Sequence, residues 1–211
     1  MTIIENDFLK VAIRNKGGEL TSILNKVSGV EQLWQGDTNI WPWHAPNLFP
    51  VVGGLINNEL LVNGNAYKME RHGFNRQSEL LLIGSNDISA RFSLPYSDHT
   101  LEVYPYKFDF QVYYDLIDNA LRVTYKVINH EHDTIYFSVG GHPAFNVPFN
   151  VGESYEDYYL EFETEEHLEK HLLSAEGYFT GETQPVKLDN KKLPLTRDMF
   201  KQDAWVFKNL R

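Results

Sequence analysis

Residues 108–116 read Phe-Asp-Phe-Gln-Val-Tyr-Tyr-Asp-Leu, and this stretch decides the fold class. Phe108, Phe110, Val112, Tyr114 and Leu116 fall on one side of an extended chain, with Asp109, Gln111, Tyr113 and Asp115 on the other. That period of two is what a half-buried strand requires. Past a turn at Asp118-Asn119, Leu121, Val123, Tyr125 and Val127 alternate with Arg122, Thr124 and Lys126, so the two segments are predicted to form an antiparallel hairpin. Asn129–Asp133 then turns the chain into a third expected strand, Ile135–Val139.

The same pattern extends upstream. Leu9, Val11 and Ile13 alternate before Gly17-Gly18, and Asn63-Gly64 between two short runs signals a tight primed hairpin turn. Leu80–Ile83 and Ile88–Leu94 flank another turn signal, Ser85-Asn86-Asp87. Only residues 165–173, with Leu168 and Leu172 four apart, predict a turn or two of helix. Eight carboxylates (Glu153, Glu156, Asp157, Glu161, Glu163, Glu165, Glu166 and Glu169) crowd residues 153–169. A calcium loop would space its ligands around a glycine. Here Tyr158, Leu160 and Phe162 alternate with the acids instead, which predicts a strand with one buried and one solvated face. No linker, repeat or low-complexity tract interrupts the chain, so residues 1–211 are expected to form a single all-β domain, a mostly antiparallel β-sandwich.

The bulk chemistry narrows the function. The chain has 211 residues, 42% of them hydrophobic and 14% aromatic, enough apolar surface to offset chain entropy. A net charge of −10 opposes binding to a phosphate backbone or an anionic membrane surface, so neither nucleic acid nor membrane is an expected partner. A neutral small molecule fits better. With no cysteine, disulfides and thiolate metal sites are excluded. The opening residues lack the basic start and apolar run of a signal peptide, and the expected location is the cytoplasm. Monomer and homodimer remain equally open.

No GxSxG elbow, phosphate loop, HExxH or dinucleotide fingerprint occurs. His130-Glu131-His132 lies in a predicted polar turn without a third ligand, so no metal site is expected. Two other histidines keep unusual company. His72 stands in Arg71-His72-Gly73-Phe74, close to Arg76. His142 follows Gly140-Gly141 and precedes Pro143, where a strand ends in glycines that permit close approach and a proline that fixes the chain. Each could be a structural loop residue. Together, with aromatics and asparagines around both, they outline a pocket for a neutral ligand and for general acid–base work.

Ala45-Pro46-Asn47-Leu48-Phe49-Pro50-Val51-Val52-Gly53, Asn63-Gly64-Asn65-Ala66-Tyr67 and His72-Gly73-Phe74-Asn75-Arg76 together resemble the first signature of the aldose 1-epimerases, most of all their LacX-like branch. Tyr104–Phe108, Gly141-His142-Pro143-Ala144-Phe145-Asn146 and Phe200-Lys201-Gln202-Asp203-Ala204 match later signatures in the same order. The resemblance implies a β-supersandwich of the galactose mutarotase type with a sugar pocket, no cofactor, and a free sugar as partner. It also implies roles: His142 protonates the ring oxygen, His72 holds the sugar and polarises that oxygen, and Asp203 bonds sugar hydroxyls. Arg71 is a candidate hydroxyl clamp, and Asn47 a candidate sugar contact.

Two departures stand out. Gly54 replaces an arginine that many relatives carry. The family's base is a C-terminal glutamate, and the chain ends at Arg211 before any such motif, so the family's last strands and the base are expected to be missing. Three activities follow as expectations: an epimerase acting on a free hexose, a catalytically silent sugar binder, and a hexose-phosphate epimerase. For the last, Arg71 and Arg76 are the only cations the sequence nominates.

Overall fold

The computed structural model describes residues 1–163, 168–208 and 210. Where the sequence reads as one domain, the chain divides into two compact units, Met1–Asn146 and Val147–Arg211.

The first unit opens with four antiparallel strands in sequential order, β1 (Thr2–Glu5), β2 (Leu9–Arg14), β3 (Glu19–Asn25) and β4 (Val30–Glu31). Leu9, Val11 and Ile13 are buried as their alternation requires, and Gly17 and Gly18, at φ of 70° and 56°, turn the chain into β3. A two-residue strand, β5 (Asn47–Leu48), is followed by the hairpin of β6 (Glu59–Val62) and β7 (Asn65–Lys68). Its turn has Asn63 at φ 49° and Gly64 at φ 81°, the paired positive angles of a primed turn.

A second antiparallel sheet contains β8 (Leu81–Asn86) and β9 (Ser89–Pro95). After the short helix α1 (Asp98–Val103) it is completed by β10 (Phe108–Ile117) and β11 (Ala120–Asn129), in the order β11-β10-β9-β8. The register Val112↔Tyr125 and Leu116↔Leu121 is that of the predicted hairpin. Phe108, Phe110, Val112 and Tyr114 are fully buried, and both sheets feed one continuous core. Phe49 sits in it, stacked on Phe110 with centroids 4.4 Å apart and edge-on to Tyr104 at 5.9 Å. Each such ring contributes about 1.5–3 kcal/mol by leaving water.

The third expected strand is not found. Ile135–Val139 joins no ladder among the described residues, and only Gly140–Gly141 (β12) pairs, with β5. The cause lies in where the backbone groups go. The turn at Asn129–Asp133 is pinned by His130 N–H to Lys107 O, and Tyr104 Oη then donates to Tyr136 O while Ser138 N–H donates to Pro50 O. These bonds tie the segment to Tyr104 at the end of α1 and to Pro50 after β5 rather than to β11.

The second unit holds β13 (Tyr159–Glu161), β14 (Leu168–Leu173), β15 (Phe179–Val186) and β16 (Lys192–Pro194), paired β13 with β16 and β14 with β15. The helix expected over residues 165–173 is corrected to a strand where it is described. Leu168–Leu173 finds a ladder partner in β15, and one or two isolated turns of helix cannot compete with that pairing. Residues 165–167, including Glu165 and Glu166, lie outside the described residues. The face expected to be buried in the acidic strand is only partly so: Tyr158 and Phe162 are half-buried, and Leu160 is 45% exposed.

Candidate active site

The residues around β5 act as a spine from which two loops hang. Phe49 O accepts the N–H groups of Phe74 and Asn75, at 3.1 and 3.2 Å, and Pro46 O accepts that of His142 at 3.0 Å. The first loop turns at Glu70–Gly73, closed by Gly73 N–H to Glu70 O at 2.9 Å. His72 lies in this turn at φ 70°, a left-handed angle that a non-glycine residue occupies only when its surroundings hold it there. Gly73 also has φ 70°, and a Cβ on it would lie 2.2 Å from Phe49 O, so no other residue fits.

Two bonds lock His72 to Gly53. Its N–H donates to Gly53 O at 2.9 Å, and Gly53 N–H donates to its ring Nδ1 at 3.0 Å. With Nδ1 accepting, the neutral ring carries its proton on Nε2. Burial, helped by Arg76, by the neighbouring His142 and by Arg71, pulls this histidine down from 6.5 to about 4. At neutral pH it is therefore an uncharged Nε2–H donor.

His142 faces it. The two ring centroids are 5.8 Å apart at 74°, and Trp41 lies 5.2 Å from the exposed His142 ring on a tilted plane. The His142 loop is clamped on both sides. Gly140 and Gly141 pair with Leu48 and Asn47, and Asn146 Nδ2 bonds Glu31 O and Leu33 O. Two facing imidazoles, one held as a neutral donor, with an indole beside them suit a polar, hydroxyl-bearing ligand.

Arg71 is exposed beside His72, and its carbonyl accepts Arg76 Nη2 at 3.2 Å. Asp203 belongs to the second unit, exposed in a turn at φ 74°, with Oδ1 accepting Ala204 N–H at 2.7 Å. Asn47 needs correction as a candidate sugar contact. It is 2% exposed, and its side-chain amide is bonded to Gly17 O, Gly18 O, Tyr114 and Tyr125 inside the protein. Trp41 was not among the residues expected here. The available signal was three tryptophans within ten positions, Trp34, Trp41 and Trp43, just ahead of the Ala45–Gly53 segment. His130 and His132 are exposed in a polar turn.

Residues 1–205 match the family model described as aldose 1-epimerase. The chain belongs to the aldose 1-epimerase family. Over 220 aligned residues it is 36% identical to the plasmid-borne Protein LacX of Lactococcus lactis subsp. lactis, an alignment covering all of this chain and 73% of that protein. Among solved structures it is similar to a galactose mutarotase related enzyme from Lactobacillus acidophilus, with a TM-score of 0.91 and 34% identity over 98% of this chain and 68% of that one. A galactose mutarotase-like protein from Lactobacillus casei gives the same TM-score at 31% identity, over 99% and 72% of the two chains. The fold is accordingly the mutarotase-type β-sandwich of the aldose 1-epimerases, and the family's function is mutarotase-like. Among the described residues, no helix is long and apolar enough to cross a membrane.

Proposed function

We propose that this chain binds a free hexose over Trp41 and the His72–His142 pair and interconverts its anomers in the cytoplasm without a cofactor. The facing of the two imidazoles, with His72 held neutral by burial and by the Gly53 N–H, carries this reading. His142 gives a proton to the ring oxygen while His72 Nε2–H polarises the same atom, and the bond from the anomeric carbon to that oxygen breaks. A base removes the proton of the anomeric hydroxyl, so the open form is an aldehyde. Rotation of its carbonyl and reclosure, with both protons returned, yields the other anomer. Acid and base must act on the two oxygens of one hemiacetal, so the histidine pair, which serves the ring oxygen, needs a further group as base. Arg71, beside His72 in the same unit, is proposed to bond sugar hydroxyls.

A specific observation favours a second reading, a sugar binder without turnover. Among the described residues, the ionisable side chains that act on His72 are Arg76, His142 and Arg71, and no carboxylate is among them to serve as base. Polarimetric relaxation of freshly dissolved α-glucose and α-galactose separates the readings. Acceleration by the chain that His142→Ala abolishes supports the epimerase. Saturable sugar binding without acceleration supports the binder, and neither result would refute both. The hexose-phosphate alternative predicts that a sugar 6-phosphate competes better than the free sugar.

A further inference from the structure

Asn47 is buried in β5, opposite Gly141, and every polar atom of its side chain is engaged. Nδ2 donates to Gly17 O, Gly18 O and Tyr114 Oη at 3.1, 2.9 and 2.9 Å, and Oδ1 accepts Tyr125 Oη at 2.8 Å. Tyr114 Oη in turn donates to Gly18 O at 2.6 Å. A primary amide has two N–H donors, so one of them is shared between two of these acceptors, and both polar atoms of the side chain are engaged. It bolts the spine at β5 to the β2–β3 turn and to the two long strands β10 and β11.

The main chain of the same residue reaches both histidine loops. Asn47 pairs with Gly141, the neighbour of His142, and its carbonyl accepts Asn75 Nδ2 at 3.0 Å, three residues beyond His72. Asn75 is itself fully buried and donates also to Gly17 O at 3.1 Å. Tyr125 closes the arrangement from below. A Cβ on Gly141 would sit 2.8 Å from its hydroxyl, so Gly141 rests directly on the group that bonds Asn47.

We propose that Asn47 is the shared positioning residue of the His72–His142 pair: its buried side-chain amide fixes the β5 backbone, and that backbone holds both loops so that the two rings keep their geometry as a unit. Its meaning for catalysis rests on the functional reading above, whereas the coupling itself is a property of the folded chain. In a buried site a neutral amide suits this role better than a carboxylate. Asp at this position would keep the shape but turn both donors into acceptors, facing two carbonyls with a charge.

The test is made on the full chain by NMR, without sugar and without turnover. In the wild type, the rings at 5.8 Å give a His72–His142 ring-to-ring NOE, and the His72 ring nitrogens show the Nε2–H tautomer. Tyr125→Phe removes one bond to Asn47 and leaves the apolar ring in place. The expected result is loss of that NOE and shifted ring signals for both histidines in a protein that remains folded. Asn47→Ser should do the same more strongly. Tyr113→Phe, which removes a hydroxyl from the same sheet that bonds Gln111 instead, should change neither. Folded Tyr125→Phe protein with NOE and ring signals intact would overturn the proposal, as would equal loss in Tyr113→Phe. If Asn47→Ser does not fold, Tyr125→Phe alone decides. Failure of the epimerase reading would show in polarimetry and leave these spectra untouched.

Discussion

His72 and Gly53 hold each other by two reciprocal hydrogen bonds, one from the His72 backbone and one into its imidazole. The second bond needs an unprotonated Nδ1, so protonating His72 must break it. Its folded value of about 4 lies below its ordinary 6.5, which means that the unfolded chain binds the proton first as pH falls. The stability this group contributes is complete above about pH 6.5 and is lost as the pH falls toward about 4. With the ring half-exposed, solvent screening reduces the linkage value to roughly 1–2 kcal/mol. Histidine side-chain NMR titration should show His72 still neutral at pH 5. A midpoint near 6.5 would show that burial and the Gly53 bond do not hold the ring.

Gly73→Ala should disassemble the His72 loop. The added methyl would meet Phe49 O at 2.2 Å and Pro50 Cδ at 2.7 Å, with the backbone at a left-handed φ. Backbone at that distance cannot yield as a flexible side chain can, and a loss of about 2–4 kcal/mol is expected from the combined clash and strain. Urea unfolding measures it. Gly64→Ala is the control, since nothing lies within 4 Å of its Cβ position and only the φ penalty applies.

The contrast between these two glycines marks what sequence could and could not reveal. Asn63-Gly64 announces its hairpin because turn geometry is local, and the β10–β11 pair announces itself because the nine residues 108–116 alternate without a break. Ile135–Val139 alternates just as well. Its backbone groups, however, are taken by Tyr104 Oη and Pro50, contacts more than thirty residues away in the chain that no pattern shows. Leu168–Leu173 was misread for a related reason, since a four-residue apolar spacing fits a helix as well as a strand, and the partner β15 decided. At the site, His72 and His142 were legible from their glycine and aromatic settings. Asn47 was legible as present but not as buried, because whether an amide faces solvent or a tyrosine hydroxyl depends on three-dimensional packing.

Trp41→Ala should weaken sugar binding more than it weakens the fold. The indole is partly exposed beside the His142 ring, 5.2 Å away, where it can present an apolar face to a sugar. An aromatic contact of this kind is worth about 0.5–1.5 kcal/mol, or roughly a two- to tenfold rise in Kd. Calorimetric titration with glucose and galactose checks this, and Trp41→Phe should recover most of the affinity. Equal affinity of wild type and Trp41→Ala would remove the indole from the site.

Glu19 supports the same region from underneath, and its removal should be costly. The side chain is fully buried, pairs with Arg14, and accepts the backbone N–H groups of His44 and Ala45 at 2.7 and 2.9 Å. Arg14 and Arg76 both lie over the Trp43 ring, at 5.5 and 5.4 Å, so the carboxylate anchors a cation that is also packed against an aromatic. Glu19→Ala strands one guanidinium and two amide donors, and breaking such a pair from one side costs about 3–5 kcal/mol. Glu19→Gln keeps an oxygen for the two backbone donors but sets its NH2 against the Arg14 guanidinium, losing both that hydrogen bond and the charge, so it should retain about half of that stability. The Ala45 amide exchanges with solvent only when this bond opens. Hydrogen exchange should therefore show it protected in wild type and Glu19→Gln but fast in Glu19→Ala. Slow exchange in all three would mean that the backbone after Trp43 is held by its packing on β3 and not by the carboxylate.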